Sequence, residues 1–122
     1  MSIFKGLRTV IYQVHDLDAA KLWYAKALDA QPYFEESFYV GFNVGGYELG
    51  LQPDQPVAVA VENIVAYWGV DDADAAFAHL IALGAKAKEP VQDVGEGIRV
   101  ATVSDPFGNV FGIIQNPSFK AA

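Results

Sequence analysis

Hydrophobic and polar positions in the first half of the chain predict a strand, a helix and a hairpin. The predicted order is strand, helix, strand, strand, over residues 7–14, 15–30, 38–43 and 47–52. Asp16 or Asp18 is placed to cap the start of the helix, because a short polar side chain there can accept a backbone N–H. Gly45 and Gly46 separate the last two strands and favour a tight hairpin turn.

The second half follows the same order with one additional strand after the helix. The pattern predicts a strand, a helix, a poor strand and two better strands over residues 63–70, 71–84, 87–94, 99–104 and 110–115. Phe77, Leu80 and Ile81 mark the core face of the helix, and Gly84 stands where a helix-ending glycine belongs. Pro90 interrupts the poor strand, since proline cannot donate to a sheet hydrogen bond.

The first strand and the helix start of the two halves match at an offset of 56 residues, and the last strands match with a shift caused by different loop lengths. Asp16 and Asp18 correspond to Asp72 and Asp74, each pair following a strand and opening a helix. The stretch DPFGN at 105–109 then predicts a turn before the last strand. The prediction is an α+β fold in one domain, built from two βαβββ modules. Module one spans about 5–52, a linker 53–62 and module two about 63–117.

Composition narrows the function classes. The net charge is −7, which disfavours nucleic acid as a partner and favours cationic ligands at long range. The chain has no cysteine, so disulfides, thiolate catalysis and Cys-bound metal are excluded. The N-terminal residues do not form a signal-like apolar segment, and no apolar run is long enough to span a bilayer. We therefore expect a cytoplasmic protein with no membrane partner.

The duplicated module, the Asp-Leu-Asp helix start and the late DPFGN turn resemble the vicinal oxygen chelate superfamily. This is the group of glyoxalases, bleomycin resistance proteins and extradiol dioxygenases, and the resemblance covers roughly residues 7–117. It implies that the modules curl their mixed sheets to form a cup. It also implies a homodimer.

The same resemblance implies where a metal would bind. Metal-using members place four ligands in the cup, one on the first and one on the last strand of each module. The corresponding residues here are Thr9, Gly50, Val65 and Gly112, and Glu48 lies two residues from Gly50 on the same face. Zinc or nickel needs imidazole or carboxylate ligands, so we expect no metal cofactor, with a divalent metal as the alternative.

Strand periodicity then selects the residues that line the cup. The inward-facing set is apolar and aromatic with a few hydrogen-bonding groups, which is typical of a small-molecule pocket. The side faced by Arg99 depends on a register that the sequence leaves open. The predicted ligand-binding residues are Thr9, Gln13, Tyr39, Glu48, Gln52, Tyr67, Arg99 and Gly112.

Three functions remain open at this point. The first is a metal-independent small-molecule-binding protein, whose acidic charge suits a cationic compound such as a bleomycin-like antibiotic. The second is a lyase, isomerase or dioxygenase-like enzyme, in which an apolar cup raises the pKa of Glu48 and makes it a general base. Against that role, Glu48 can instead face solvent or pair with Arg8 or Arg99. The third is a partner-binding module whose cup is filled by side chains.

Overall fold

The computed structural model describes residue 3 and residues 7–53 and 65–118. The chain consists of two compact units, residues 1–55 and residues 56–122. The predicted limits of the modules stay predictions. Residues 54–62 of the predicted linker, and residues 63 and 64 of the predicted strand, lie outside the described residues. None of the described helices is long and apolar enough to cross a membrane.

The described residues of each unit form one helix and four strands. The first contains β1 (Thr9–Val14), α1 (Leu17–Leu28), β2 (Phe34–Glu36), β3 (Tyr39–Val44) and β4 (Tyr47–Pro53). The second contains β5 (Tyr67–Gly69), α2 (Ala73–Ala82), β6 (Lys86–Gly95), β7 (Ile98–Ser104) and β8 (Val110–Gln115). Both units therefore have the predicted βαβββ order. The short strand β2 is an element that the sequence analysis missed.

The two sheets have the same topology. The strand order is β1-β4-β3-β2 in the first unit and β5-β8-β7-β6 in the second. The first and last strands of each unit pair in parallel, and the other neighbours are antiparallel. Two equal mixed sheets confirm the predicted α+β fold of two βαβββ modules.

Both helices begin at the predicted aspartates. The carboxylate of Asp16 accepts the N–H of Ala19 at 3.0 Å, and that of Asp72 accepts the N–H of Ala75 at 3.1 Å. These bonds satisfy N–H groups that the first helical turn leaves without a partner. The two caps are 56 residues apart, so the repeat seen in the sequence extends to the geometry of the helix start.

The core of the first unit lies between α1 and one face of its sheet. Tyr24 and Ala20 of the helix are fully buried there. The strands supply alternate side chains to the same face, as the two-residue period of a strand requires. The buried strand residues on this face are Tyr12, Val14, Val40, Phe42, Leu49 and Leu51.

Phe38 does not join this core. The alternation of residues in 38–43 predicts Phe38 on the helix side together with Val40 and Phe42, but Phe38 is 65% exposed. The reason is that β3 begins only at Tyr39, so Phe38 belongs to the turn after β2 and the alternation does not extend to it.

The core of the second unit is built the same way. Of the three residues predicted on the core face of α2, Leu80 is buried and Phe77 is half-buried, whereas Ile81 is exposed. Trp68 stacks on the buried Phe111 at 5.6 Å with an interplanar angle of 7°. The buried residues of β7 and β8 on the helix side are Ala101, Val103, Phe111 and Ile113. Thr102 is also buried, but it pairs with Gly112 on the opposite face of the sheet.

The predicted poor strand around Pro90 is the longest strand of the second unit. It forms β6, and because it lies at the edge of the sheet it pairs only with β7. Its register shifts between Glu89 and Gln92, which leaves Pro90 at an irregular position. Proline is tolerated at an edge or bulge because no N–H is required there for pairing with a neighbouring strand. The prediction of a poor strand therefore underestimated this segment.

The predicted turn at 105–109 is confirmed. The Asp105 side chain accepts the N–H groups of Phe107 and Asn109 at 2.9 and 2.7 Å. Gly108 occupies the left-handed conformation at φ 91°, which glycine adopts without steric cost. This turn sets the start of β8 and hence the position of Gly112.

Candidate functional site

The register of the first sheet brings five predicted site residues to one face. Thr9 pairs with Glu48 and Gln13 pairs with Gln52 across β1 and β4. Tyr39 lies two residues from Gly41 on β3, and Gly41 pairs with Gly50. Paired residues point to the same side of a sheet. The five residues therefore lie on the distal face, defined here as the face opposite α1; they are Thr9, Gln13, Tyr39, Glu48 and Gln52.

The carboxylate of Glu48 is the centre of a hydrogen-bonded group on this face. The Thr9 hydroxyl donates to Oε1 at 3.0 Å, and the Tyr33 hydroxyl donates to Oε2. The Tyr39 hydroxyl also lowers the pKa of the Glu48 carboxyl. We call Thr9, Tyr33, Tyr39 and Glu48 the Glu48 cluster. Two hydroxyl donors, one on each oxygen, fix the direction of this half-buried carboxylate.

Tyr33 is a site residue that sequence reasoning missed. It directly precedes β2, and its N–H donates to the carbonyl of Gly41 at 2.9 Å. That bond starts the pairing of β2 with β3 and brings the Tyr33 ring over the distal face. The only signal in the sequence was the aromatic pair Tyr33-Phe34 after Pro32, and its meaning depends on a strand that was not predicted.

Two glycines make room for the cluster. A Cβ atom on Gly50 would overlap the Tyr39 hydroxyl and lie 2.6 Å from Cζ of that ring. A Cβ on Gly41 would lie 2.8 Å from Oε2 of Glu48 and 3.1 Å from Cε1 of Tyr33. Contacts this short do not occur in folded proteins, so the absence of both side chains is what lets the rings lie against the sheet.

The hydrogen bonds keep Glu48 charged. The Tyr33 hydroxyl has the largest effect and, with those of Thr9 and Tyr39, lowers the pKa of Glu48 below its usual value of 4.5. Partial burial and then the Glu48 charge raise the pKa of Tyr39 to about 12. The hydrogen bond to Glu48 raises the pKa of Tyr33. The expectation of a raised pKa for Glu48 was wrong, because the hydroxyl donors outweigh the burial.

This shift predicts a loss of stability in acid. A carboxylate whose folded pKa lies below its unfolded value of 4.5 stabilises the fold above about pH 4.5. The stabilisation is lost as the pH falls through the folded pKa. We therefore expect Glu48→Gln to be less stable than the native protein near neutral pH, with the difference shrinking in acid. Urea unfolding of both proteins across this range measures it.

Glu89→Gln is the control for that experiment, since it removes an equal charge from the second unit. A difference between native protein and Glu48→Gln that stays constant from neutral pH into acid would show that Glu48 does not contribute in this way.

A second polar pair extends the distal face of the first unit. Nε2 of Gln13 donates to Oε1 of Gln52 at 2.8 Å. The pair lies four residues along β1 and β4 from Thr9 and Glu48, on the same side of the sheet. Side-chain amides both donate and accept hydrogen bonds, so this pair offers donors that the Glu48 carboxylate, which only accepts, does not.

In the second unit, Tyr67 covers Gly112. The two residues pair across β5 and β8, in the same register in which Ile11 pairs with Gly50 in the first unit. A Cβ on Gly112 would lie 2.8 Å from Cδ1 of Tyr67, 2.9 Å from the carbonyl oxygen of Ala66 and 3.0 Å from Cγ1 of Val65. Gly112 is therefore required by the close approach of β5.

The four positions at which family members hold a metal do not fit one here. Thr9 donates its hydroxyl to Glu48, and Val65 offers no donor atom. The spaces in front of Gly50 and Gly112, where a ligand side chain would project, are taken by the tyrosine rings just described. Within residues 7–53 and 65–118, no three His, Cys, Asp or Glu side chains are grouped to hold a metal ion.

Arg99 lies on the other side of its sheet. Nη1 of Arg99 contacts Oδ2 of Asp74 in the first turn of α2 at 2.5 Å, so the side chain faces the helix. The hydrogen bond to Asp74 raises the pKa of Arg99. The register that the sequence left open is thus resolved, and Arg99 is not grouped with Tyr67 and Gly112.

A cavity of about 800 Å³ opens beside Tyr67 in the second unit. It lies between the end of β8 and the start of α2, and its polar lining comes from Asp71, Asp72 and Asn116. Tyr67 and Ile114 supply the apolar side. The predicted site residue Tyr67 therefore borders a space large enough for a small organic molecule.

Two βαβββ modules, with glycines at equivalent positions on their last strands, define a glyoxalase-type fold. The profile of the Glyoxalase/Bleomycin resistance protein/Dioxygenase superfamily matches residues 6–113. The chain belongs to this superfamily, as its sequence indicated. A search of curated proteins finds no match.

Solved structures share this fold at low sequence identity. A glyoxalase-related enzyme from Fulvimarina pelagi is 20% identical with a TM-score of 0.78, covering 98% of this chain and 94% of its own. Lactoylglutathione lyase from Agrobacterium tumefaciens is 19% identical with a TM-score of 0.76, covering 97% and 100%. The fosfomycin resistance protein FosX from Mesorhizobium loti is 18% identical with a TM-score of 0.74, covering 95% and 96%. These similarities are similarities of fold.

Proposed function

We propose that the chain is a small-molecule-binding protein of the glyoxalase/bleomycin-resistance type that binds its ligand without a metal ion. The observation that carries this proposal is the Glu48 cluster, a charged carboxylate held by the hydroxyls of Thr9 and Tyr33 on the distal face of the first sheet. Polar groups in fixed directions among aromatic rings are what a pocket uses to orient a small organic ligand.

Metal independence is supported by the side chains at the four family positions. One hydroxyl, one aliphatic side chain and two glycines do not make a divalent-metal site, which needs convergent imidazole or carboxylate groups. Glu48 is a carboxylate near these positions, but its oxygens already accept hydrogen bonds from Thr9 and Tyr33. A metal ion would have to displace these donors.

An enzyme that uses Glu48 is the alternative proposal. A general base works best when its pKa lies near the operating pH. The hydroxyl donors lower the pKa of Glu48, which makes it a weaker base, so binding is favoured over proton abstraction. Conversion of a bound compound that is lost in Glu48→Gln would instead establish the enzyme.

Metal content tests the proposal directly. Chelator-stripped protein is incubated with nickel, zinc, manganese or ferrous iron, desalted, and assayed for bound metal per chain. We expect little retained metal, because the four positions lack ligands. Near-stoichiometric metal would overturn the proposed metal independence and favour a glyoxalase- or dioxygenase-like enzyme. The homodimer implied by the resemblance stays a prediction.

A further inference from the structure

We propose that the Glu48 cluster, together with the neighbouring rings of Phe34 and Phe38, binds an organic cation, specifically a protonated amine carried on an apolar or aromatic body. This inference names the ligand class of the proposed binding site and rests on that proposed function. It is carried by three observations: a carboxylate with no basic partner among the described residues, exposed aromatic rings next to the cluster, and a pair of glycines beneath it.

Unlike Glu35 and Asp74, Glu48 has no basic side chain paired with it among the described residues. Glu35 pairs with Lys21 at 3.0 Å, and Asp74 pairs with Arg99. Glu48 pairs with neither Arg8 nor Arg99, and among the described residues its side-chain partners are all hydroxyl groups. Within the part of the chain that the structure describes, the negative charge of this half-buried group is thus oriented but not paired with a positive charge.

The carboxylate also has room for one more donor. Two carboxylate oxygens offer about four acceptor positions, and the hydroxyls of Thr9 and Tyr33 occupy two of them. A protonated amine supplies the missing partner as a charge-assisted hydrogen bond, which is stronger than a hydrogen bond between neutral groups. An anionic ligand would be repelled by Glu48, and the net charge of −7 repels it further.

Exposed aromatic rings continue from the cluster along the same short segment of the chain. The Phe34 ring lies 6.1 Å from Tyr39 and 6.4 Å from Phe38, measured between centroids. Tyr33, Phe34 and Phe38 are 63%, 41% and 65% exposed, so the core does not account for them. Faces of aromatic rings attract cations within about 6 Å, and they also pack against the apolar body of a ligand.

The pair of glycines fixes how closely a ligand can approach. Gly41 and Gly50 pair with each other beneath the cluster, and neither can carry a side chain without displacing Tyr33 or Tyr39. Their backbone N–H groups therefore report on any molecule that binds over the cluster.

The test compares three probes of similar shape and different charge: phenethylammonium, phenylethanol and phenylacetate. Amide NMR spectra of isotope-labelled protein follow the Gly41 and Gly50 signals during each titration. We expect saturable shifts with phenethylammonium, and binding of the other two that is weaker by about tenfold or more, the effect of one charge-assisted hydrogen bond. Glu48→Gln is expected to remove this preference.

Glu89→Gln is the matched control. Glu89 also accepts a hydrogen bond from a threonine hydroxyl, that of Thr102, but it lies in the second unit. Glu89→Gln removes the same charge from the chain as Glu48→Gln. A loss of phenethylammonium binding in both variants would therefore mean that net charge alone attracts the probe, and would overturn the proposal. If Glu48→Gln alters the overall spectrum, Phe34→Leu serves as the second variant and should weaken phenethylammonium binding through loss of the ring.

The outcomes separate this inference from the proposed function. Phenylethanol or phenylacetate shifting Gly41 and Gly50 as strongly as phenethylammonium would overturn the cation inference while supporting a small-molecule site on this face. If phenethylammonium shifts the amide signal of Gly112 and not those of Gly41 and Gly50, the inference for the first unit is overturned. If no probe of any charge shifts Gly41 or Gly50, the inference fails and so does the proposed location of the site.

Discussion

Replacing Gly112 by alanine is expected to lower the free energy of unfolding by about 1–3 kcal/mol, the usual cost of overpacking a tightly packed site. The added Cβ would lie 2.9 Å from the carbonyl oxygen of Ala66 as well as against Tyr67 and Val65. That carbonyl accepts the N–H of Gly112 at 3.0 Å, so the backbone cannot withdraw without losing this hydrogen bond. Urea unfolding of native protein and variant measures the loss.

Gly69→Ala is the matched control, because Gly69 lies on β5 beside the same contact and a Cβ there meets nothing within 4 Å. We expect it to change stability by less than about 0.5 kcal/mol. Adding Tyr67→Ala should not restore the stability of Gly112→Ala, since the Ala66 carbonyl remains. Full restoration would mean that the ring alone, and not the backbone of β5, requires the glycine.

The parts of the fold that depend on neighbours in the chain were predictable. Asp16 and Asp72 cap helices through bonds that span three residues, and Asp105 closes its turn through bonds that span two to four. Such local chemistry is the same wherever the rest of the chain lies. The 56-residue repeat then extended these local features to a duplicated fold.

Elements that depend on distant partners were not predictable in the same way. The three residues of β2 form a strand because β3 pairs with them, and nothing in their own pattern requires it. Pro90 lowers the strand tendency of β6, yet the edge position removes the need for its missing N–H. In both cases the tertiary context, which the sequence does not display locally, decides the structure.

The candidate site shows the same division. Period-two alternation placed Thr9, Glu48 and Tyr39 on one face correctly, because that alternation follows from strand geometry alone. It did not find Tyr33, which reaches Glu48 only through the pairing of β2 with β3. Nor did it give the direction of the Glu48 pKa shift, which depends on how many hydroxyls converge on one carboxylate rather than on the polarity of the face.

The start of β3 at Tyr39 separates Phe38 from Phe42, and this leads to the second prediction with a large expected effect on stability. Phe42 is fully buried against α1, whereas Phe38 is 65% exposed beyond the start of the strand. Phe42→Ala removes a whole ring from the core and is expected to cost about 3–5 kcal/mol of unfolding free energy, enough to unfold a marginal domain. Phe38→Ala removes the same atoms from the surface and should change stability by less than about 0.5 kcal/mol.

Chemical unfolding of the two variants beside the native protein makes this comparison, with Phe38→Ala as the matched control for loss of a ring. Equal losses would place Phe38 in the core, as the sequence alternation suggested, and would contradict the observed start of β3. A large loss confined to Phe42→Ala would leave Phe38 outside the core, where its ring is free to contact a ligand held at Glu48. Stability and phenethylammonium affinity should then respond to different phenylalanines of one short segment, stability to Phe42 and affinity to Phe38.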